Sequence, residues 1–239
     1  MKTRILFVLF AAAFLVADCL PEKPPSTPST RPPFCQGLSP DACAARTDAV
    51  GRAVRGTVVV RSYSDLSSGA YSSGTGFILD DSGHVLTAEH VISGAQNVYV
   101  FPREMDEMGG FFIGASVAVR IVAASDEHDA ALLAPFEGEI LPPPIAWDAA
   151  PLARRDAVWQ VGKKTLWAWG TVRRVYCGHR GPTRGLIHAD LAVAHGDSGG
   201  PLLDAAGRAR GLLARMDPDG EESYFVPLAV ALEAVGYEG

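Results

Sequence analysis

Six consecutive residues, Gly196-Asp197-Ser198-Gly199-Gly200-Pro201, carry the densest chemical signal in the sequence. At about 7% per specified position, such a string arises by chance on the order of once in 10⁵ chains of this size. A serine flanked by glycines allows a tight loop in which backbone N–H groups converge, the geometry that holds an oxyanion during acyl transfer. A Gly-rich β-turn is the plainer reading, so the chemistry needs partners. The stretch Gly196–Gly200 also satisfies the G-x-S-x-G elbow, but that arrangement requires an acid and then a histidine after the serine. No histidine follows His195, which places the base and its acid upstream.

Of the six histidines, His90 stands at the end of an apolar strand, in Leu86-Thr87-Ala88-Glu89-His90-Val91-Ile92. A general base needs such a rigid mount to bring its ring nitrogen within hydrogen-bond reach of the serine. The competing reading is a half-buried strand-end histidine. His84 reads as a turn residue, and His128, His179 and His188 as surface positions. The orienting carboxylate should lie buried beside the base. Asp129 leads directly into the apolar run Ala130-Ala131-Leu132-Leu133, whereas Asp126 and Glu127 belong to the polar turn before it. Asp148 and Asp156 flank the connection between the two series of apolar runs, and Asp190 is the serious competitor. Asp129 is preferred because it completes the order His, Asp, Ser.

These residues need strands to hold them, and the chain from about Ala49 supplies short apolar runs broken by Gly, Asp, Ser and Pro. A first series comprises Val58–Val60, Phe77–Leu79, Val85–Leu86, Val98–Phe101, Val117–Val122 and Ala130–Leu133. A second comprises Ala157–Val161, Leu166–Val175, Leu186–Ala189, Pro201–Leu203, Gly211–Ala214 and Tyr224–Val226. Runs of this length between turn signals predict β-strands of a sandwich or barrel. Between the series, Phe136–Pro151 holds Pro142-Pro143-Pro144, which neither a helix nor a central strand tolerates, and reads as a connection. The one convincing helix is Leu228–Val235, with small helical turns after His90. No repeat suggests a solenoid or propeller.

At the N-terminus, Lys2 and Arg4 precede thirteen uncharged residues, Ile5 to Ala17. That is about 20 Å of helix, short of a ~30 Å bilayer core, and fits a signal peptide over residues 1–18. Cys19 stands where a lipidated cysteine would tether the chain to a membrane, although Asp18 occupies a place that the lipobox gives to a small residue. Cleavage after Ala17 is the other reading. Residues 19–48 read as a Pro-rich linker, and in an oxidising compartment Cys35 and Cys43 could close a short disulfide loop. Cys177 would then be left unpaired.

The 239 residues are 48% apolar and 20% charged, with a net charge of −6. That balance excludes a wholly disordered chain and lacks the basic footprint of a nucleic-acid binder. A single short apolar run excludes a polytopic membrane protein. There is no H-E-x-x-H and no paired-Cys zinc spacing, so no metal site is expected.

The chain resembles chymotrypsin-fold serine proteases, most closely the trypsin-like domain of HtrA-type proteases. The likeness runs through Gly74-Thr75-Gly76-Phe77-Ile78-Leu79, Gly83 to Val91, Asp129 to Leu133, Val161-Gly162, Ile187 to Leu203 and Tyr224-Phe225-Val226-Pro227. It implies an all-β fold of two six-stranded antiparallel barrels, about 49–135 and 150–239, with the active site in the cleft between them and a short C-terminal helix. It implies His90 as general base, Asp129 as orienting acid and Ser198 as nucleophile. Gly196 and Ser198 would supply the oxyanion N–H groups, with no metal or organic cofactor. The expected activity is that of an exported, periplasmic or extracellular endopeptidase acting on proteins or peptides. A catalytically silent pseudoprotease that binds or scaffolds is the alternative.

Three features depart from the family pattern. There is no Arg-Ile-Val-Gly-Gly start, so activation by a new N-terminus is not expected even though Asp197 precedes the serine. Glu89 stands where small residues or Asn are usual, and no PDZ domain is expected after the protease domain. The resemblance puts the specificity wall near Ala192, Leu213–Arg215 and Tyr224–Phe225. Ala192 occupies the place of the trypsin acid, which implies a small apolar preference, while Arg215 could instead attract an acidic side chain.

Overall fold

The computed structural model describes residues 35, 37–105, 111–165, 168–175 and 185–239. The expected signal peptide, Cys19, Cys177 and His179 lie outside them.

The first described element is one that strand periodicity does not reveal. Helix α1 (Pro40–Arg55) starts at Ser39, whose hydroxyl accepts the Ala42 N–H, with Pro40 and Asp41 in its first turn. Pro is pre-set for that position, and the acid suits the helix dipole. The helix therefore takes up the last nine residues of the stretch read as linker, Pro40 to Asp48. A disulfide joins Cys35 to Cys43 on its first turns. Ala49, Val50, Ala53 and Val54 face inward, while Arg46 lies over the Trp169 ring. The expectation of one principal helix is thus corrected: α1 forms because its cap and its packing supply what a weak apolar stripe does not.

Seven strands follow: β1 (Thr57–Tyr63), β2 (Ser72–Ile78), β3 (Val85–Thr87), β4 (Asn97–Met105), β5 (Phe111–Ile113), β6 (Val117–Ser125) and β7 (Ala130–Pro135). They pair antiparallel in the order β1-β2-β3-β7-β6-β4, and β1 pairs again with β4, closing a six-stranded barrel. Strand β5 hangs on the far end of β4. Helix α2 (Glu89–Ile92) caps the β3 end of this barrel.

The second barrel is formed by β8 (Ala157–Gln160), β9 (Ala168–Val175), β10 (Ile187–Ala189), β11 (Pro201–Asp204), β12 (Ala209–Met216) and β13 (Ser223–Pro227). These strands close in the order β10-β13-β12-β11-β8-β9. Two six-stranded antiparallel barrels are the architecture expected from the sequence. Helix α3 (Leu228–Ala234) buries Leu228, Ala231 and Leu232, the i, i+3, i+4 stripe of an amphipathic helix.

One apolar cluster fills the first barrel and continues through Trp159, Leu203 and Leu212 into the junction with the second. A smaller cluster around Val158, Leu202 and Phe225 fills the second barrel. The continuous core fixes the two barrels against each other, and the cleft between them inherits that rigidity.

Candidate active site

Strand β3 delivers the chain to Ala88, whose extended backbone starts α2 and sets His90 in its first turn. Across the corner, the turn at Asp126–Asp129 ends with Asp129 at φ 48°, a left-handed conformation that Asp tolerates better than most residues. That turn aims the carboxylate at α2. Its Oδ1 accepts the His90 backbone N–H at 3.0 Å, and both carboxylate oxygens lie 2.9 Å from Nδ1. One acid thus ties down the helix turn and the imidazole together. Asp129 is only half-buried, with 23% of its side chain exposed, rather than buried as expected, and the His90 ring is 48% exposed. The hydrogen bond to Asp129 raises the His90 pKa from its usual value; burial opposes this, the charges of Asp129 and Glu89 add to it, and Arg215 opposes it.

The serine loop is held from several directions. Asp197 N–H donates to Ala194 O, Gly200 N–H to Asp197 O, and Gly199 N–H to Leu213 O at 2.7 Å. The first barrel reaches in through Thr75, whose N–H donates to Ser198 O at 2.8 Å and whose hydroxyl donates to Gly196 O at 2.9 Å. A Cβ added at Gly74 would stand 2.5 Å from Val91 Cγ2 and 2.9 Å from Ser198 O, so the residue after His90 and the serine loop converge on one point. The described hydrogen bonds include none between the His90 ring and the Ser198 hydroxyl, a contact that often tightens only when substrate docks. The Gly196 and Ser198 N–H groups have no acceptor among the described hydrogen bonds.

Asp197 is completely buried. Its carboxylate accepts the N–H groups of Lys164, Thr165 and Ala194 at 2.7, 3.2 and 2.9 Å. Gly162 packs directly on it, since a Cβ there would fall 2.3 Å from Asp197 Cγ. Behind Gly162 stands Arg103, a buried cation on β4 whose guanidinium donates to Gly162 O. Its pKa is lowered by burial, and the Asp197 charge acts in the opposite direction. A carboxylate deep in the second barrel is thus matched by three backbone donors and a cation from the first. Sequence reasoning gave no role to Arg103, which lies just past the run Val98–Phe101, or to Thr75, which lies within the stretch Gly74–Leu79 that carries the family likeness.

The competitors are placed elsewhere. Asp190 accepts the Thr171 N–H and pairs with Arg173 at 2.9 Å. His84 Nδ1 lies 2.7 Å from Asp80, which also accepts the Tyr237 hydroxyl. His188 stacks on Tyr224 at 4.9 Å, with Nε2 3.1 Å from Glu222. Of the expected specificity residues, Ala192 and Arg215 are exposed, Tyr224 is half-buried and Leu213 is buried. A cleft of about 480 Å³ behind Asp129 is bordered by His128, Leu186, Ala214, Arg215 and Val230.

Two closed antiparallel barrels with this corner between them make a chymotrypsin-like double barrel. Residues 74–212 match the trypsin-like peptidase domain, and the chain belongs to that family. It is 29% identical over 177 residues to Protease Do-like 1, chloroplastic, of Arabidopsis thaliana, covering 69% of this chain and 38% of that protein. Over 175 residues it is 25% identical to a probable periplasmic serine endoprotease DegP-like of Hahella chejuensis, covering 70% of this chain and 35% of the relative. The chain spans little more than a third of the length of these relatives. In fold it is similar to the Rv3671c protease of M. tuberculosis in its active form, at TM-score 0.63 and 23% identity, covering 84% of this chain and 90% of that one. It is also similar to the HtrA-type protease AlgW with decapeptide, at TM-score 0.65 and 22% identity, covering 79% and 65%.

Proposed function

We propose that the chain is a serine endopeptidase that hydrolyses peptide bonds in proteins or peptides, with Ser198, His90 and Asp129 as its triad. The observation that carries this reading is the Asp129 carboxylate held at 2.9 Å on His90 Nδ1, beside a serine loop whose Gly196 and Ser198 N–H groups have no acceptor among the described residues. Nδ1 acts as donor to Asp129, which directs the lone pair of Nε2 outward. The Ser198 oxygen attacks the carbonyl carbon as Nε2 takes its proton, and the carbonyl oxygen becomes an oxyanion on the two N–H groups. His90 returns the proton to the leaving amine, the C–N bond breaks, and water then hydrolyses the acyl-enzyme with the same roles reversed. No metal or organic cofactor enters these steps.

The acyl part of the substrate has an evident track. Pairing of β11 with β12 ends at Leu212, so the Ala214–Met216 edge is open on that side among the described residues. An extended peptide can add there as a strand, with its side chains toward Ala192, Tyr224 and Arg215. Export is part of the proposal: it rests on the signal-like residues 1–18, supported by the Cys35–Cys43 disulfide, which suits an oxidising compartment. Anchoring through Cys19 remains within the same reading.

The test is labelling by a fluorescent, serine-directed fluorophosphonate. Wild-type protein should label, and Ser198→Ala and His90→Ala should each abolish it. A folded wild type that stays unlabelled would overturn the reading in favour of a silent binding module.

A further inference from the structure

The sequence contains four lysines, and the two beyond residue 23 are adjacent, Lys163 and Lys164. In a chain of net charge −6 they follow Gly162 beside the serine loop, Lys163 through its side chain at Gly196 and Lys164 through its N–H on Asp197. The Lys163 N–H donates to Thr75 Oγ1 at 2.9 Å, the same hydroxyl that holds Gly196 O. Its side chain passes Gly196, with Cδ 3.5 Å from where a Cβ would stand, and Nζ donates to Ser73 Oγ at 2.8 Å. Ser73 is paired directly with Arg61 across β1 and β2. Opposite residues of an antiparallel pair project from one face. The Arg61 guanidinium is fixed there between Tyr71 and Phe101, 5.0 and 4.4 Å from the ring centroids.

Lys163 therefore borders Gly196 with the charges of Arg61 and Lys164 close to it, and among the described ion pairs none involves these three cations. The nearby anion is Asp197, which is buried and already holds three backbone donors. Burial lowers the Lys163 pKa, as do the charges of Arg61 and Lys164, while Asp197 acts against them. Such a site gains from an anion supplied from outside.

Its side of the cleft identifies the anion's source. The open edge of β12 lies on the Asp129 side, where Ala214 and Arg215 border the same cleft as Asp129. Lys163 instead adjoins Ser73 and Gly196, none of which borders that cleft. A peptide laid along β12 and crossing Ser198 leaves the cleft past Lys163. We infer that Lys163, backed by Arg61 and Lys164, selects substrates with a carboxylate shortly after the scissile bond. The carboxylate is that of an Asp or Glu side chain or of a nearby free C-terminus. This inference rests on the proteolytic reading above and adds a leaving-group specificity to it.

The experiment is digestion of a diverse peptide mixture by the full chain, with products sequenced by mass spectrometry. Each substrate is offered with a free and with an amidated C-terminus. Asp and Glu should be enriched about fivefold over Asn and Gln in the first three positions after the cut, the ratio supplied by about 1 kcal/mol of ion pairing. An enrichment that follows the free C-terminus assigns the terminal carboxylate; one that survives amidation assigns the side chain. Either supports the inference. Lys163→Gln should abolish the enrichment, Lys163→Arg should retain it, and Lys163→Glu should turn it toward Lys and Arg. Raising salt to 1 M should erode it, because the Debye length falls to about 3 Å. Cutting that depends on Ser198 but shows no acidic enrichment, or enrichment that Lys163→Gln leaves intact, overturns this inference alone. Absence of cutting, or cutting undiminished in Ser198→Ala, overturns the proteolytic reading and this inference with it.

Discussion

Asp129 binds His90 twice, through its ring at 2.9 Å and through its backbone N–H at 3.0 Å. The carboxylate therefore sets both the protonation of the imidazole and the attitude of the short helix that carries it. Because the first contact raises the His90 pKa and general-base action needs the neutral ring, the acid limb of activity should lie above the free histidine value of about 6.5. Asp129→Asn should move that limb downward and reduce kcat by about 10⁴. Arg215→Ala removes an opposing cation and should move it upward. The measurement is a pH–kcat/KM profile of the three proteins. The stability linkage has the opposite sense: a raised histidine pKa stabilises the fold fully below about 6.5, and this contribution is lost as pH rises through the folded value.

Gly199 stands at φ +82°, and a Cβ there would fall 2.2 Å from Thr75 O, 2.6 Å from Thr87 Oγ1 and 2.8 Å from Ala88 N. All three belong to the first barrel, so the serine loop is pressed against the strand end that carries His90. Gly199→Ala should cost more than the ~1–2 kcal/mol of a left-handed residue, because backbone atoms must also move. Gly94→Ala, at φ +68° with open space around it, should cost only the backbone penalty. Denaturant midpoints of the two variants give the comparison, and fluorophosphonate labelling should fail only in the first.

Arg103 ties the first barrel to the loop that clamps Asp197. Arg103→Met leaves Gly162 O without that charged donor and should destabilise the protein by about 1.5–3 kcal/mol. Labelling should slow in the variant even at temperatures where it remains folded, because the Lys164 and Thr165 N–H groups would no longer be held on Asp197. A variant equal to wild type in both melting temperature and labelling rate would rule out this coupling.

Much of the fold was legible in the sequence for a definite reason. Alternating apolar runs between Gly, Pro and Asp specify strands locally, and all twelve expected runs fall in or next to strands of the two barrels where they are described. Helix α1 was not legible from periodicity, because its stability comes from Ser39, the disulfide and burial against both barrels. Its start signal, Ser39-Pro40-Asp41, is present in the sequence and directly follows the proline-rich stretch.

The sequence alone determined the chemistry on offer: a glycine-flanked serine, a strand-end histidine and an acid at the head of an apolar strand, in an order compatible with one another. Side-chain type and chain order are local properties. What only the tertiary structure decided is which charges share a space. Asp190 was a fair candidate by position and is turned to Arg173 instead, while Arg103 and Asp197, far apart in the chain, converge on Gly162. Lys163 reaches Ser73 across ninety residues for the same reason. Two closed barrels with a shared core bring their loops together in the cleft, and the electrostatics there depend on distances that no local pattern encodes.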